Sequence, residues 1–337
     1  MLDETRRGDL VTSVAQTVGR KLLEDVSTAV HRRVVGQDET VRGLLIALLT
    51  GGHVLLEGLP GLAKTLLVRS LAEALSTSFR RIQFTPDLLP GDIVGTPVYD
   101  QSTGTFRVHR GPIFANLVLA DEVNRAPPKV QSALLEAMEE EQVTIDGTPH
   151  PLPHPFLVLA TQNPIEQHGT YPLAEAQLDR FMMKLRIGYP TGDEEREILR
   201  RVALSSTEDV QRVIEPVASA EAIIEARREL ELVLVEQRVQ DYVVDLALAT
   251  RDPKGVGLSE LAEWLEFGIS PRASIFLIRA ARARAWLEGR EFVLPDDVKA
   301  MALPVLRHRL RMTYEADVKG VTPDHVVERL LGTIRAP

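Results

Sequence analysis

The stretch Glu57-Gly58-Leu59-Pro60-Gly61-Leu62-Ala63-Lys64-Thr65 decides how this chain is read. An apolar run, His53-Val54-Leu55-Leu56, precedes it, and a helix-forming run, Leu66-Leu67-Val68-Arg69-Ser70-Leu71-Ala72, follows. Strand, glycine-containing loop and helix in that order make a phosphate cradle, because backbone N–H groups of the loop and of the first helical turn point at an anion. In such a cradle, built from Gly58, Leu59, Pro60, Gly61, Leu62, Ala63 and Leu66, Lys64 would reach the β- and γ-phosphates of a nucleotide and the Thr65 hydroxyl would hold Mg2+. The pattern departs by one residue from G-x-x-x-x-G-K-[ST], since Ala63 stands in place of the last glycine. A Cβ at that position predicts a negative φ for Ala63, the region open to any L-residue. The competing reading is an ordinary Gly-Pro turn with Lys64 and Thr65 on a solvated face.

Outward from this loop the chain alternates strands and helices. Phe79 to Phe84 alternates bulky and polar residues and predicts a second strand. Leu117-Val118-Leu119-Ala120 and Phe156-Leu157-Val158-Leu159-Ala160 are continuous apolar runs, as strands buried on both faces require, and Met182 to Ile187 is a fifth run. Thr40 to Thr50 and the segment opened by Pro127-Pro128, with Val130, Leu134 and Met138 at i+4 spacing, predict helices between them. The fold class is therefore α/β, a parallel sheet covered on both faces. Two hairpins interrupt the alternation, at about 96–109 with a Ser-Thr-Gly tip and at about 142–151 with Asp146-Gly147.

Beyond Gly188-Tyr189-Pro190 strand-like runs cease and helical periodicity takes over. The division is a helical segment over 1–29 (a polar helix from about 11 to 30), an αβ core over 30–189 and a helical domain over 190–337. Ser270-Pro271 is a helix start with Ser at N-cap and Pro at N1. From it, Phe276, Ala280, Ala283 and Leu287 predict one buried stripe.

Composition agrees with a folded two-domain protein: 337 residues, 44% hydrophobic and 26% charged, are enough for sizeable cores. The absence of Cys excludes disulfides and Cys-ligated metals and points to a reducing compartment. Met1 to Arg7 lacks the apolar stretch of a signal peptide, no apolar run approaches a membrane span, and a cytoplasmic location is expected. A net charge of −9 lowers the expectation of general nucleic-acid binding.

Further constellations carry chemistry. Leu117-Val118-Leu119-Ala120-Asp121-Glu122 sets two acids at the carboxyl end of a buried strand, where open α/β sheets bind ligands. Asp121 would sit near Mg2+ and Glu122 would polarise the attacking water, although either acid alone would also suit a helix N-terminus. In Ala160-Thr161-Gln162-Asn163-Pro164, Asn163 would bond the γ-phosphate or that water, or simply initiate a turn. In Gln177-Leu178-Asp179-Arg180-Phe181, Arg180 would reach a neighbouring subunit's γ-phosphate, or pair with Asp179. Arg272 stands at the second position of a helix, where the dipole disfavours a cation unless an anion such as ATP is near.

Together, Gly-Leu-Pro-Gly-Leu-Ala-Lys-Thr, Leu-Ala-Asp-Glu-Val-Asn-Arg-Ala-Pro-Pro, Ala-Thr-Gln-Asn-Pro, Leu-Asp-Arg-Phe and Ser-Pro-Arg-Ala resemble the MoxR family of AAA+ ATPases from about Val34 to the C-terminus. The resemblance implies an αβα P-loop core with a C-terminal all-helical lid. It makes Lys64 the Walker A lysine, Asp121 and Glu122 Walker B, Asn163 sensor 1, Arg180 an arginine finger acting in trans and Arg272 sensor 2. It places Val35, Gly36 and Gln37 at adenine, and it makes the two hairpins the helix-2 insert and the pre-sensor-1 hairpin. Alanine at position 63 is common in that family. ATP and Mg2+ are the implied cofactors, a hexameric ring the implied assembly, and cofactor insertion or remodelling of a protein partner, often one with a von Willebrand factor A domain, the implied work. Two other readings stay open: an ATP-gated switch or scaffold that hydrolyses little, and a nucleic-acid motor, which hairpin tips without Lys, Arg or aromatic residues disfavour.

Overall fold

The five predicted strands pair into one sheet. The computed structural model describes residues 19–163, 170–204 and 214–337. Strands are numbered in chain order, and β1 (Val54–Gly58), β2 (Phe79–Gln83), β5 (Leu117–Asp121), β8 (Leu157–Gln162) and β9 (Met183–Ile187) lie in the order β2-β5-β8-β1-β9. The pairs β2–β5, β5–β8 and β8–β1 are parallel. β5 is buried at every position and β8 at all but its last, which is why their sequences show no polar alternation. From β1 the chain crosses to the far edge, β2, and then steps back through β5 and β8. That order reversal places the carboxyl ends of β1 and β8 side by side, with Leu56 opposite Thr161 and Glu57 opposite Gln162. A crevice at such a switch point is where open sheets bind ligands.

Two antiparallel hairpins stand apart from this sheet. β3 (Gly95–Asp100) pairs with β4 (Thr105–Arg110), joining Tyr99 to Phe106 edge to face at 5.3 Å. β6 (Gln142–Ile145) and β7 (Thr148–Pro151) are joined by Asp146 and Gly147, with φ of 50° and 75°. Two consecutive positive φ values are what a two-residue hairpin turn with the strands' own twist demands, and Asp-Gly supplies them.

The helix Asp38–Thr50 buries an almost continuous face from Thr40 to Leu49, and Pro128–Glu140 buries Val130, Leu134 and Met138 as its spacing predicts. Of the polar helix expected over 11–30, the described part runs over 19–31; residues 1–18 lie outside the described residues.

The chain divides into two compact units, one built on Lys21–Leu173 and Leu185–Ile224, the other on Ala174–Lys184 and Glu225–Pro337. The second unit is a lid of helices, chiefly Gln237–Arg251, Pro271–Leu287, Pro295–Leu306 and Pro323–Thr333, plus a short antiparallel pair, β10 (Leu265–Phe267) with β11 (Arg311–Met312). Ser270 caps its helix by accepting the Ala273 N–H, with Pro271 at the first position. The buried stripe of that helix differs from the one its sequence predicts: it runs through Ala273, Leu277, Ala280, Ala281, Ala283, Ala285 and Trp286, while Phe276 and Leu287 are half-exposed. Ala280 and Ala283 lie on it as expected, and the alanines let the neighbouring helix approach closely between the bulkier Leu277 and Trp286. Among the described residues no helix is long and apolar enough to cross a membrane.

Candidate functional site

The loop after β1 curls with Gly61 at φ 85° and Ala63 at φ 55°, ψ 21°. The negative φ expected at Ala63 is thus corrected: the residue is left-handed. It is the N-cap of the helix Lys64–Ala74, and its carbonyl accepts the Leu67 N–H at 2.9 Å, so the chain must enter the helix from this geometry whatever the side chain. An L-residue held there costs roughly 1–2 kcal/mol. No side chain caps this helix and no acid lies in its first turn. The first N–H groups of a helix have no intrahelical acceptor, so this end presents donors and a positive dipole to whatever lies before it.

Lys64 reaches back over the loop. Its Nζ donates to Gly58 O at 2.6 Å and to Leu59 O at 2.9 Å. Burial lowers its pKa, while the charges of Asp121 and Glu122 act in the opposite sense. Both acids face the same space: a cavity of about 430 Å3 is lined by Pro60 to Leu66, Arg81, Asp121, Glu122, Thr161 and Asn163. Lys64, Thr65, Asp121, Glu122 and Asn163, expected from three separate segments of the sequence, thus line one cavity, and the sheet order brings them together. Pro164, which follows Asn163, lies outside the described residues.

Three residues of this cavity or its rim carry roles that sequence reading missed. Thr161 Oγ1 donates to Asp121 Oδ1 at 2.6 Å and accepts the Glu122 N–H at 2.8 Å. Arg81 binds Asp121 Oδ2 through Nε at 3.0 Å and Nη2 at 2.5 Å, and Nη2 also donates to Gln83 Oε1 at 2.7 Å. Gln83 Nε2 then donates to Glu122 Oε2 at 2.9 Å, an oxygen that Arg125 Nη1 also reaches at 3.0 Å. Arg81 and Gln83 share one face of β2 by the period-two rule. Their alternation is visible in the sequence, but not that β2 lies beside β5. Glu122 itself holds φ 57°, ψ 50°, a left-handed conformation that turns its side chain out of the strand's pleat and that structures retain mostly where function requires it.

A divalent ion fits this donor set. Among the described residues no cluster of three His, Cys, Asp or Glu could hold a metal by itself. Mg2+ characteristically takes one or two carboxylates or hydroxyls together with phosphate and water, and Thr65 and Asp121 line one cavity.

Val35, Gly36 and Gln37 form a tight bend outside the residues that line the cavity. Gly36 has φ 67° and Gln37 φ 62°, and Gln37 Nε2 donates to Gly188 O at 3.2 Å. A Cβ on Gly36 would meet the Glu194 carboxylate, a flexible side-chain end that can move aside, so it is the positive φ that favours glycine there.

Arg180 and Arg272 belong to the other unit, where Asp179 is the shared node. Ser270 Oγ donates to its two oxygens at 3.1 and 3.0 Å, Arg309 Nε to Oδ1 at 2.8 Å, and Arg272 Nη1 lies 4.0 Å from Oδ2. The cation at the second position of the helix thus has a carboxylate of its own unit nearby. Arg309, whose side chain is 1% exposed, drew no attention in the sequence. Its only signal there is an Arg-His-Arg run, Arg307-His308-Arg309, in an otherwise helical stretch.

Comparison with known proteins bears on this geometry. A model of the ATPase family associated with various cellular activities (AAA) matches residues 53–183, and one of the AAA lid domain matches residues 260–330. The chain is 47% identical over 323 residues to chaperone MoxR1 of Mycobacterium tuberculosis, covering 94% of this chain and 82% of that protein. It is 34% identical over 332 residues to protein MoxR of Paracoccus denitrificans, covering 93% and 96%. A crystal structure of a candidate ATPase from Cytophaga hutchinsonii superimposes with a TM-score of 0.91 at 45% identity, covering 99% of both chains.

Proposed function

Since this chain belongs to the MoxR family of AAA ATPases, we propose that it hydrolyses ATP with Mg2+ in a ring of like subunits, hexameric by the family resemblance, and uses that hydrolysis to remodel a protein partner or insert a cofactor into it. The observation that carries this reading is the single cavity into which an uncapped helix N-terminus, Lys64, Asp121, Glu122 and Asn163 all open. Cation and helix dipole neutralise phosphate, and two acids at a strand end serve ion and water. Lys64 and the loop N–H groups bind the β- and γ-phosphates. Thr65 and Asp121 would hold the dication, which when bound would supply positive charge to offset that of the phosphates. Glu122 orients and polarises the attacking water, Asn163 places it, and Arg272 has the sensor 2 role that the family resemblance implies. Val35, Gly36 and Gln37 bound the adenine. Arg180 of an adjacent subunit stabilises the charge that develops at the γ-phosphate. The unit built on Lys21–Leu173 and Leu185–Ile224 acts as the core and the one built on Ala174–Lys184 and Glu225–Pro337 as the lid.

The client is a protein, by the family resemblance one carrying a von Willebrand factor A domain, in the cytoplasm, and nucleic acid is not the substrate. The name of the M. tuberculosis relative, a chaperone, supports the remodelling role. A dilution series tests the reading: turnover per subunit rises with protein concentration, and Arg180→Ala lowers it roughly 10³-fold. Concentration-independent turnover, with Arg180→Ala as fast as the parent, overturns it. A pull-down with Glu122→Gln in ATP then tests the partner.

A further inference from the structure

Arg309 is a buried guanidinium with all five N–H donors in use. Nε–H goes to the Asp179 carboxylate at 2.8 Å. Nη1 donates to Met182 O at 3.1 Å and to Val305 O. Nη2 donates to Asp179 O at 2.9 Å and to Phe181 O at 2.5 Å. A guanidinium has five donors, so none is left over. Four of the five end on residues 179, 181 and 182, which flank Arg180 on both sides. The face of the group lies over the Phe276 ring at 5.1 Å, one turn beyond Arg272 on the helix Pro271–Leu287.

This is more than a counter-ion for Asp179 requires. One carboxylate satisfies a charge, and Ser270 and Arg272 already attend that carboxylate. Burying a guanidinium is costly unless every donor is met, and here the donors are met by three carbonyls of a short turn that has no regular ladder of its own: residues 179–182 lie between a four-residue helix, Glu175–Leu178, and β9. Burial pulls Arg309 down to about 10, against the opposing pull of Asp179, so it remains charged at neutral pH. Neither lysine nor a neutral side chain has the donors to hold three carbonyls and a carboxylate at once.

We propose that Arg309 is the positioning residue for Arg180: it clamps the backbone on either side and thereby aims that side chain at the neighbouring subunit's nucleotide. The proposal rests on Arg180 acting in trans. Its effect therefore falls on the neighbour's active site and leaves the subunit's own site intact.

Mixing full-length variants tests this. Arg309→Met and Arg180→Ala each retain their own Lys64 and Glu122, whereas Glu122→Gln lacks turnover but carries an intact Arg180 and Arg309. Phosphate release is measured for each variant alone and for equal mixtures with Glu122→Gln, alongside thermal melting and binding of a fluorescent ATP analogue. Arg309→Met alone is expected to lose about 10²-fold or more in turnover, to bind nucleotide as the parent does, and to regain about tenfold or more on mixing with Glu122→Gln, as Arg180→Ala does. Where Arg309→Met melts too low to assay, Asp179→Asn/Arg309→Met removes the stranded carboxylate and is expected to behave alike. Gain in the Arg180→Ala mixture without gain in either Arg309 mixture overturns the proposal and leaves the trans finger standing. Silence of every mixture overturns the trans finger itself and the proposal with it.

Discussion

Thr161 Oγ1 donates a 2.6 Å hydrogen bond to Asp121 Oδ1. The same oxygen accepts the N–H of Glu122, so one buried hydroxyl sets both the carboxylate at the end of β5 and the backbone of the acid that follows it. Thr161→Val removes donor and acceptor together and leaves an Asp121 oxygen without its partner. The expected cost is about 1–3 kcal/mol of stability, measured by chemical denaturation, with a drop in ATP turnover of about tenfold. Thr161→Ser, which keeps the hydroxyl, should recover most of both.

Glu122 stands left-handed beside Gln83 and Arg125. Glu122→Gln keeps the shape of the side chain and removes the carboxylate proposed to polarise the water. Turnover should fall by roughly 10²–10⁴ while ATP affinity stays within a few-fold of the parent. Steady-state phosphate release and equilibrium binding of labelled ATP separate the two; undiminished hydrolysis would remove Glu122 from its role.

Ala63 carries a backbone conformation that its Cβ resists. Ala63→Gly relieves roughly 1–2 kcal/mol of that strain and gives back part of it through the freer unfolded chain, so a net gain of up to about 1 kcal/mol is expected. A β-branched residue resists positive φ more strongly, and Ala63→Val should destabilise. Urea unfolding of the three proteins ranks them Gly above Ala above Val; any other order rejects the strain at this residue.

His308 is buried beside Arg309, donates through Nε2 to Phe181 O at 3.0 Å and leaves Nδ1 without a hydrogen-bond partner. Burial first, and then the Arg309 charge, hold its pKa well below 6.5. The unfolded chain therefore binds this proton more readily than the folded one. The stability that His308 contributes is whole above about pH 6.5 and is lost as pH falls below it, with a slope of at most about 1.4 kcal/mol per pH unit. Denaturation from pH 7.5 to 5.5 should show that slope, and His308→Gln, which keeps a donor for Phe181, should flatten it.

Much of the fold was legible along the chain because its signals are local. A strand buried on both faces has to be apolar at successive positions, and Leu117–Ala120 and Phe156–Ala160 are. The helix from Ser270 announces its start by cap and proline. The stripe on that helix was legible in part: Ala280 and Ala283 are buried as the spacing predicts, whereas Phe276 and Leu287 are half-exposed and Leu277, Ala281 and Trp286 are buried beside the alanines. In the site, Lys64, Thr65, Asp121, Glu122 and Asn163 were visible because each sits next to its own strand in the chain. Arg81, Gln83 and Arg309 were not, since an arginine or glutamine on a strand edge or helix end has the same local pattern whether it faces water or a carboxylate.

The sequence by itself determined the strand–loop–helix order around Lys64, the strand–helix alternation and the positions of acids at strand ends. These depend on residue type and on spacing within one element, which the chain displays directly. Tertiary structure decided the rest. It set Ala63 left-handed, because the direction of entry into the helix outweighs the preference of one Cβ. It joined Thr161 to Asp121 and Gln83 to Glu122 across 40 and 39 residues of chain, because β2, β5 and β8 lie side by side. It also wrapped the turn at Asp179–Met182 around Arg309, some 130 residues further on. Hydrogen-bond partners that far apart are chosen by packing order, and no one-dimensional pattern carries that information.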